Sequence, residues 1–374
     1  MDTKSCLIIA GEKSGEDHAL TFLPRLISEN PQINFFGVGG ERLEKLGVEL
    51  IYHVRDFSGL GFTEVFTKIP FYYRAFDRLV EEVHKRQCKT AILIDFQTFN
   101  LKLAKKLESQ GVKVLYYVAP QAWVWKPWRA RVIQKCVHTL FTILPFEKEW
   151  FSKRGVTKIK SVIHPLMIEH GPKLLPMTKS LNTASRLNIL LLPGSRNNEV
   201  SKLLPIFLDT KIILEKKYPH AKFGIVTSDS VNVENYQNMN TGKVDKVWNS
   251  DQLSEALEWA DLSMAASGTV TLTTGLFQVP TVVCYQVSLL SQLIIKFLVP
   301  YKGPISLTNI VHGEMIFPEL VQKQVNPENI CLHLDKWIDN NNGDQLVKKL
   351  AQTKTLLTGD QIDIPDYMAR VIND

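Results

Sequence analysis

The chain has 374 residues, a length that accommodates two domains of ordinary size. Apolar residues make up 45% of it, which excludes an intrinsically disordered protein. Its formal charge of +6 is spread along the sequence and favours acidic partners, such as a phosphorylated substrate or an anionic membrane surface. The sequence carries no zinc-finger or RNP-like signature, so we expect no nucleic-acid partner.

Cysteine usage and hydropathy indicate the compartment. Five scattered cysteines without a C-x-x-C pair are typical of reduced thiols in a cytosolic setting. The apolar run at residues 6–10 is too short for a signal peptide, and no stretch reaches the roughly 18 apolar residues of a membrane span. We therefore expect a cytoplasmic protein that is soluble or lies on a membrane surface.

Short apolar runs alternate with longer amphipathic segments along the chain. The runs predict buried strands at 6–10, 33–38, 90–96, 113–119, 139–144, 188–193, 222–227, 262–267 and 280–285. Helical periodicity marks the segments between them, for example 71–87 and 101–111. This alternation is typical of an α/β fold with parallel sheets covered on both faces.

A segment rich in Pro, Ser and Thr at 170–186 has neither the strand nor the helix periodicity, and it divides the alternation of strands and helices in two. We predict two Rossmann-like, doubly wound domains, 1–170 and 186–345, that face each other across a cleft, followed by a helical tail at 346–374. Ligands of open α/β sheets bind beyond the carboxyl ends of the strands. Residues that directly follow strands are therefore the candidates for a site.

The first predicted strand ends in AGEKSGEDHA, residues 10–19. Gly15 permits a tight turn, and Ser14 can cap the following helix. Glu12 and Glu16 place carboxylates near a helix start, which suits the helix dipole but not direct binding of phosphate. We interpret these two carboxylates as functional, with plain helix capping as the alternative.

The strand that runs into LLPGSRNNEV, residues 191–200, is followed by a loop suited to an anion. Gly194 and Ser195 offer backbone amides at a helix N-terminus, and Arg196 adds a planar guanidinium group. The alternative is that Arg196 only pairs with Glu199.

The segment AASGTVTL repeats this arrangement after another strand, with Ser267, Gly268 and Thr269 at the start of a helix. Two anion-binding helix starts suggest a diphosphate, as in a nucleotide. The chain has no P-loop, no strict GxGxxG after the first strand, no H-E-x-x-H and no Asp-x-Asp. We therefore expect a site without metal or cofactor, in which arginine and helix dipoles neutralise the diphosphate.

Residues 57–77 combine many aromatic and aliphatic side chains with Gly, Thr, Lys and Arg. A core helix is one interpretation. The other is an exposed apolar patch with a basic rim, which receives acyl chains or contacts a bilayer. Its candidate residues are Leu60, Phe62, Val65, Phe66, Ile69, Phe71 and Tyr72. Residues 287–303 have a similar character.

Nine segments resemble, in the same order, motifs of the lipid-A-disaccharide synthases, which are bacterial glycosyltransferases of the GT-B fold. They are AGEKSGE, GVGGERLEKLGVEL, FSGLGFTEV, YYVAPQAWVWK, LPFEKEWF, HPL, LLPGSRNNEV, ASGTVTL and SLTNIVHGEMIFPELVQ. The resemblance covers nearly the whole chain. It implies the GT-B fold, in which a C-terminal helix commonly crosses back to the first domain.

The resemblance also implies a reaction. A 2,3-diacylglucosamine unit passes from its UDP derivative to the 6-hydroxyl of 2,3-diacylglucosamine 1-phosphate, which gives a β-1,6-linked disaccharide 1-phosphate and UDP. An α-linked donor that gives a β-linked product is inverted in one displacement, so only a base for the acceptor hydroxyl is needed. Acylated substrates imply a peripheral position on the inner membrane, and the expected partners include a second copy of the chain.

Site residues follow from the same resemblance. It implies that the loops 194–196 and 267–269 hold the UDP phosphates, that Glu199 orients the first loop, and that Asn309 lies on the nucleotide side. Glu12, Ser14 and Gly15 of the first strand-end loop are expected on the N-terminal side of the cleft, together with Asn100, which the chain keeps from the family's D-x-x-D-F-N loop. The segment 57–77 aligns with the part that the family uses to contact membranes.

Two positions depart from the pattern of the family. The family often carries a second Asp in the loop D-x-x-D-F-N, and this chain has Thr98 there, which cannot accept a proton at neutral pH. Where the family usually has Glu for the ribose hydroxyls, this chain has Thr273. Asp95 and Glu16 are the candidate bases. Two alternatives stay open, a non-catalytic relative that binds a nucleotide sugar or lipid and an enzyme similar to UDP-sugar 2-epimerases.

Overall fold

Two compact units make up the chain in the computed structural model. The structure describes residues 3–57, 69–171, 174, 187–229, 231–232, 236, 244–287, 301–339 and 342–374. One unit contains Met1–Glu169 and Leu357–Asp374, and the other contains His170–Leu356. Part of the predicted apolar patch lies outside the described residues, namely Leu60, Phe62, Val65 and Phe66. Residues 288–300 of the second apolar segment also lie outside them.

The first unit is built on a seven-stranded sheet in which all paired strands are parallel. Its strands are β1 (Lys4–Ala10), β2 (Ile33–Gly39), β3 (Glu49–His53), β4 (Thr90–Ile94), β5 (Lys113–Tyr117), β6 (Thr139–Thr142) and β7 (Ile159–Ser161). The spatial order is β3-β2-β1-β4-β5-β6-β7. Alternate residues of β1 enter different cores, since Leu7 and Ile9 pack on one face and Ile8 and Ala10 on the other.

The second unit contains a six-stranded sheet, and its strand pairs are also parallel. Its strands are β8 (Leu187–Leu192), β9 (Ala221–Thr227), β10 (Lys246–Asn249), β11 (Leu262–Ala266), β12 (Thr281–Tyr285) and β13 (Glu319–Val321). The spatial order is β10-β9-β8-β11-β12-β13. The strand order therefore reverses once in each sheet, between β1 and β4 and between β8 and β11.

Helices connect the strands of both sheets. In chain order the described helices are α1 (Lys13–Leu20), α2 (Leu23–Glu29), α3 (Glu41–Lys45), α4 (Val54–Phe57), α5 (Ile69–Lys85), α6 (Gln97–Glu108), α7 (Arg129–Cys136), α8 (Glu147–Ser152), α9 (Pro165–His170), α10 (Asn197–Lys217), α11 (Leu253–Trp259), α12 (Thr269–Leu276), α13 (Leu307–His312), α14 (Pro327–Asp339), α15 (Asn342–Leu350), α16 (Gln352–Leu356) and α17 (Ile364–Asn373). Within the described ranges, no helix is both long enough and apolar enough to cross a bilayer.

The predicted α/β class with doubly wound parallel sheets is confirmed. The structure adds four strands that the apolar runs did not reveal, β3, β7, β10 and β13, and these form the edges of the two sheets. Edge strands are exposed on one side, so their sequences mix polar and apolar residues. In β10, for example, only Trp248 is buried. The periodicity of a fully buried strand is therefore missing from them.

The strand β4 is shorter than predicted, because it ends at Ile94 rather than at Phe96. Asp95 and Phe96 have φ angles of 46° and 44°, which lie in the left-handed region. Strand geometry needs a strongly negative φ, so the backbone leaves the sheet at Asp95. Composition gave no sign of this bend, because neither residue is a glycine.

The last helix, α17, packs on the first unit, as predicted. Met368 is fully buried in the core that also contains Ile8 of β1, and the hydroxyl oxygens of Tyr367 and Thr139 lie 2.9 Å apart. The helices α15 and α16 belong to the second unit. The predicted tail therefore divides between the units after Leu356.

Replacing Met368 by Ala tests this packing. We expect the free energy of unfolding to fall by about 2–5 kcal/mol, because removal of a buried side chain leaves a cavity. Urea unfolding measures the change. Arg370→Ala, which alters an exposed residue of the same helix, is the matched control and should shift stability by less than about 0.5 kcal/mol. Equal effects of the two substitutions would contradict the docking of α17.

Candidate active site

The predicted site residues lie at the carboxyl ends of the strands where the order reverses. Glu12 and Asp95 follow β1 and β4, whereas Gly194 and Ser267 follow β8 and β11. Loops diverge at such a reversal and leave a crevice, which is where open α/β sheets bind ligands. The two sheets therefore each present one candidate site.

A cavity of about 890 Å³ lies beside the ends of β1 and β4. Its wall is largely aliphatic and aromatic and contains Ile69, Tyr72, Tyr73, Phe76, Phe99 and Trp125. Its polar residues include Glu12, Asp77, Asp95, Thr98 and Lys102. Two residues of the predicted patch, Ile69 and Tyr72, are thus in the wall, whereas Phe71 packs against the rings of Tyr52 and Phe57. A cavity of this size and composition suits an amphiphilic ligand.

The bend at Asp95 is held by buried hydrogen bonds. The side-chain amide of Asn100, which is fully buried, donates to the carbonyl oxygens of Ile94 and Asp95 at 3.1 and 3.0 Å. The hydroxyl of Tyr116 donates to the same Asp95 carbonyl at 2.8 Å. Gly11 makes room for the ring of Phe96, since a Cβ at Gly11 would lie 2.4 Å from it. The amide nitrogen of Asn100 thus supports the strand end, while its Oδ1 is buried and has no hydrogen-bond partner among the described residues.

The carboxyl group of Asp95 is tuned towards proton transfer. Burial and, to a smaller extent, the negative charge of Glu12 together raise its pKa to about 6, while a hydrogen bond from the Phe96 backbone acts in the opposite direction. An ordinary aspartate has a pKa near 4 and is a weak base. A carboxylate with a pKa close to the working pH is a better one.

Thr98, the position where the family often has Asp, contacts a buried arginine. Nη2 of Arg129 donates to Thr98 Oγ1 at 3.2 Å, and Nη1 donates to the side-chain oxygen of Gln97. Arg129 is only 2% exposed, and within the described residues its Nε has no hydrogen-bond partner. Burial lowers the pKa of Arg129. The buried guanidinium of Arg129 is therefore hydrogen-bonded to neutral oxygen atoms, whereas a buried guanidinium usually pairs with a carboxylate.

Glu16, the other candidate base, is a capping residue in the structure. Its carboxylate accepts hydrogen bonds from the backbone amides of Arg42 and Leu43, at 3.1 and 3.2 Å, in the first turn of α3. The guanidinium of Arg42 donates to the same carboxylate at 3.2 and 3.3 Å. Glu16 is buried and does not line the cavity. The carboxylate therefore stabilises the start of α3, which corrects the catalytic expectation for it.

The remaining residues of the first loop contribute unequally. Glu12 lines the cavity, whereas Ser14 and Gly15 do not. The helix α1 begins at Lys13, so Ser14 lies inside it and Glu12 occupies the N-cap position. The expectation that Ser14 caps this helix is therefore wrong.

The second unit has a pocket of about 300 Å³ at the ends of β8 and β11. Both predicted anion-binding loops line it, through Gly194, Ser195, Arg196, Ser267, Gly268 and Thr269. The helix α10 begins directly after the first loop, and α12 begins within the second. Unpaired backbone amides and the helix dipole make such starts favourable for a phosphate group.

Glu199 supports the turn at Gly194. The φ of Gly194 is 117°, and a Cβ there would lie 2.6 Å from an oxygen of Glu199, so only glycine fits without a shift. The same carboxylate accepts a hydrogen bond from the amide of Ser195 and pairs with Arg196 at 2.8 Å. The Arg196 side chain is still 79% exposed and lines the pocket. Arg196 therefore pairs with Glu199 and at the same time lines the pocket.

The structure corrects the expectation for Asn309. Its side chain is fully buried, donates to Phe317 O and Glu319 Oε1, and accepts from the amides of Ile316 and Phe317. These bonds use both ends of the amide within one loop, so Asn309 shapes the loop and does not line the pocket. Thr273 is also buried, inside α12, and does not line the pocket.

Sequence reasoning missed several lining residues. Thr227 and Ser228 lie at the carboxyl end of β9, which was a predicted strand. The rule that ligands bind beyond the carboxyl ends of strands therefore also points to these two residues. Ser250 follows the edge strand β10, which the sequence did not reveal. In the first unit, Trp125 lies in a loop after β5 whose path the sequence alone did not indicate. Among the described residues there is no group of three or more His, Cys, Asp or Glu side chains that could hold a metal ion.

A sequence model of the lipid-A-disaccharide synthetase family matches residues 6–366. The chain belongs to this family. It is therefore a glycosyltransferase of lipid A biosynthesis. The lipid-A-disaccharide synthase of Myxococcus xanthus (strain DK1622) is 32% identical over 357 residues, which cover 93% of this chain and 92% of the relative. That of Anaeromyxobacter dehalogenans (strain 2CP-C) is 34% identical over 345 residues, which cover 90% and 88%.

Solved structures with low sequence identity share the fold. UDP-GlcNAc 2-epimerase from Neisseria meningitidis, bound to UDP-GlcNAc, has a TM-score of 0.58 at 11% identity and covers 98% of this chain and 99% of its own. Spinosyn rhamnosyltransferase complexed with thymidine diphosphate has a TM-score of 0.53 at 10% identity and covers 99% and 100%. These similarities confirm the GT-B fold class. They do not separate a transferase from an epimerase, and that distinction comes from the family.

The neutral contact between Thr98 and Arg129 generates a stability prediction. Thr98→Asp should raise the free energy of unfolding at pH 7 by about 1–3 kcal/mol, because a carboxylate would pair with the buried guanidinium. Such pairing lowers the carboxyl pKa in the folded state, so the gain should be present above about pH 4 and disappear on acidification. Thr98→Asn, which adds an amide but no charge, is the matched control. Urea unfolding at pH 7 and pH 3 measures both, and equal stability of the two variants would contradict the prediction.

Proposed function

We propose that the chain transfers 2,3-diacylglucosamine from its UDP derivative to the 6-hydroxyl of 2,3-diacylglucosamine 1-phosphate. The products are the β-1,6-linked disaccharide 1-phosphate and UDP, with inversion at the donor carbon. Asp95 carries the proposal, since it is a carboxyl group of raised pKa in the wall of a large and mainly apolar cavity. The apolar wall suits acyl chains, and the carboxylate suits a hydroxyl that must lose its proton.

Asp95 is the general base of the proposed mechanism. Its carboxylate accepts the proton of the 6-hydroxyl while the hydroxyl oxygen attacks the anomeric carbon of the donor and the bond to the UDP oxygen breaks. With a pKa of about 6, the carboxyl is mostly ionised at neutral pH and still basic enough to assist. Asn100 and Tyr116 hold its backbone, so the base is positioned before the substrate arrives.

The pocket of the second unit supports the departure of UDP. Negative charge grows on the leaving diphosphate as the sugar bond breaks, and preorganised donors stabilise that charge. Arg196 and the start of α12 supply such donors. Thr227 and Ser250 add hydroxyl groups in the same pocket, which suits the remainder of a nucleotide.

We place the reaction at the cytoplasmic surface of the inner membrane. The proposed substrates are lipids that carry phosphate, and the formal charge of +6 favours an anionic surface. The exposed side chains of Ile69 and Tyr73 lie in the wall of the cavity. Peripheral contact would therefore bring the acyl chains to the apolar part of the site.

A radiolabel transfer assay in detergent micelles tests the base. Asp95→Asn should lower kcat by roughly 100-fold or more, because a general base contributes about that factor. Glu16→Gln makes the same chemical change at the other candidate and should leave the kcat of the folded enzyme within a few fold. Loss of transfer in Glu16→Gln with normal transfer in Asp95→Asn would contradict the assignment.

The raised pKa of Asp95 predicts how the reaction rate and the stability of the protein depend on pH. The rate of the wild type should fall as pH drops through about 6, since the carboxylate must be ionised to accept a proton. A raised pKa also means that ionisation opposes folding, so Asp95→Asn should be more stable than the wild type by about 1–3 kcal/mol at pH 8 and by much less at pH 4. A variant that is less stable at pH 8 would contradict this electrostatic origin.

Calorimetric titration with UDP tests the second pocket. Arg196→Ala should weaken binding by roughly tenfold or more, because it removes a charged donor to the diphosphate. Lys216→Ala removes an exposed positive charge from the far end of α10 and is the matched control. Equal affinities of the two variants for UDP would contradict the proposed role of Arg196.

A further inference from the structure

The first two turns of α6 form a polar part of the wall of the large cavity. Gln97, Thr98 and Lys102 all line the cavity there. Residues four apart in a helix lie on the same face, so Thr98 and Lys102 are neighbours in this wall, about one turn from each other. Thr98 and Lys102 are exposed and Gln97 is half-buried. A ligand in the cavity therefore reaches all three side chains.

Arg129 decides what Gln97 and Thr98 offer to such a ligand. Nη2 of Arg129 donates to Thr98 Oγ1 at 3.2 Å, and Nη1 donates to the side-chain oxygen of Gln97. A hydroxyl that accepts a hydrogen bond still has its own hydrogen to donate, and an amide whose oxygen is occupied still has two N–H donors. The buried guanidinium thus leaves both side chains as hydrogen-bond donors in the cavity wall.

Positive charge accompanies these donors. Among the described residues that line the cavity, Lys102 is the one with a positive charge, and its ammonium group lies 6.0 Å from the centre of the Tyr73 ring. The guanidinium of Arg129 adds a second positive charge, bonded to the far side of Thr98, and its Nε has no hydrogen-bond partner within the described residues. Donors next to positive charge are the groups that bind a phosphate most strongly.

We propose that Gln97, Thr98 and Lys102 bind the 1-phosphate of the acceptor. Arg129 is a positioning residue behind them. The proposal deepens the proposed function and rests on it, because there the acceptor is 2,3-diacylglucosamine 1-phosphate. The 6-hydroxyl and the 1-phosphate leave the sugar on opposite sides of the ring oxygen. One molecule can therefore place its hydroxyl at Asp95, which precedes α6, and its phosphate at Lys102, in the second turn.

The carboxylates of the cavity limit where a phosphate can bind. Glu12 and Asp95 lie at the strand ends and repel a phosphate from there, which directs it towards Lys102. Asp77 of α5 also lines the cavity, so the alternative is that Lys102 only neutralises Asp77. In the structure the ammonium group of Lys102 lies by the Tyr73 ring, and no described carboxylate is paired with it. Lys102 is therefore available to a ligand.

Binding of two lipids in detergent micelles tests the phosphate site. One is 2,3-diacylglucosamine 1-phosphate, and the other is the same lipid without its phosphate. The wild type should bind the phosphorylated lipid about tenfold more tightly or better, because the second lipid cannot make the charged hydrogen bonds. Lys102→Ala should lose most of this preference, whereas Lys102→Arg, which keeps the charge, should retain it.

Lys106→Ala is the matched control. Lys106 is an exposed lysine of the same helix that does not line the cavity, so its variant should keep the full preference. Thr98→Val removes the hydroxyl with little change of shape and should weaken binding of the phosphorylated lipid by roughly threefold or more. Binding of the lipid without phosphate should not change in either variant.

The kinetics separate binding of the phosphate from the chemistry. Lys102→Ala should raise the KM for the acceptor by roughly tenfold, and it should leave kcat and the KM for the UDP-sugar within a few fold, because Lys102 contacts no reacting atom. A fall in kcat with an unchanged acceptor KM would overturn the assignment of Lys102 to the phosphate.

Three binding results would also overturn the proposal. They are a wild type without preference for the phosphorylated lipid, a Lys102→Ala variant that keeps the preference, and an equal loss of both lipids in that variant, which would indicate a structural role. Inorganic phosphate is the further probe. If it binds to the wild type but the two lipids bind equally, the site holds free phosphate and the assignment to the acceptor is wrong.

The outcomes distinguish this site from the proposed reaction. A preference that disappears in Lys102→Ala, in a wild type that transfers no sugar, refutes the proposed function and leaves the phosphate site standing. Sugar transfer by the wild type, with a normal acceptor KM in Lys102→Ala, supports the reaction and refutes the phosphate site.

Discussion

The backbone bend at Asp95 and Phe96 is the constraint on which the candidate active site depends. Two consecutive residues that are not glycine adopt a left-handed conformation there, at a cost of about 1–3 kcal/mol each. The buried amide of Asn100 and the hydroxyl of Tyr116 offset that cost by binding the carbonyl groups around the bend. A strained strand end that is held so firmly brings a carboxyl group of raised pKa to the cavity wall.

The two candidate sites lie at equivalent positions of their sheets but carry charges of opposite sign. Beyond the reversal point of the first sheet lie carboxylates, and the charge of Glu12 contributes to the raised pKa of Asp95, which suits proton transfer. Beyond the reversal point of the second lie a guanidinium group and helix N-termini, which suit a diphosphate. Glu199 belongs to the second site but serves it as a support under Gly194, with its charge paired to Arg196.

Sequence reasoning predicted buried features well and local geometry poorly. The inner strands and both anion-binding loops were predictable, since continuous apolar runs and Gly-Ser starts are local signals. Edge strands such as β10 were not, because half-exposed strands mix polar and apolar residues. Glu16 and Asn309 show that the role of a single residue was also hard to predict. Their residue types suited a site, yet each meets its partners through tertiary contacts that spacing along the chain does not reveal.

The most direct test of Asp95 as the base is its own titration. Carbon-13 NMR of the protein with labelled aspartate carboxyl groups, assigned by comparison with Asp95→Asn, reports its midpoint. We expect a midpoint of about pH 6, which shifts downward in Glu12→Gln because the neighbouring negative charge is removed. A midpoint near 4, the value of an ordinary exposed aspartate, would contradict the assignment of Asp95 as a tuned general base.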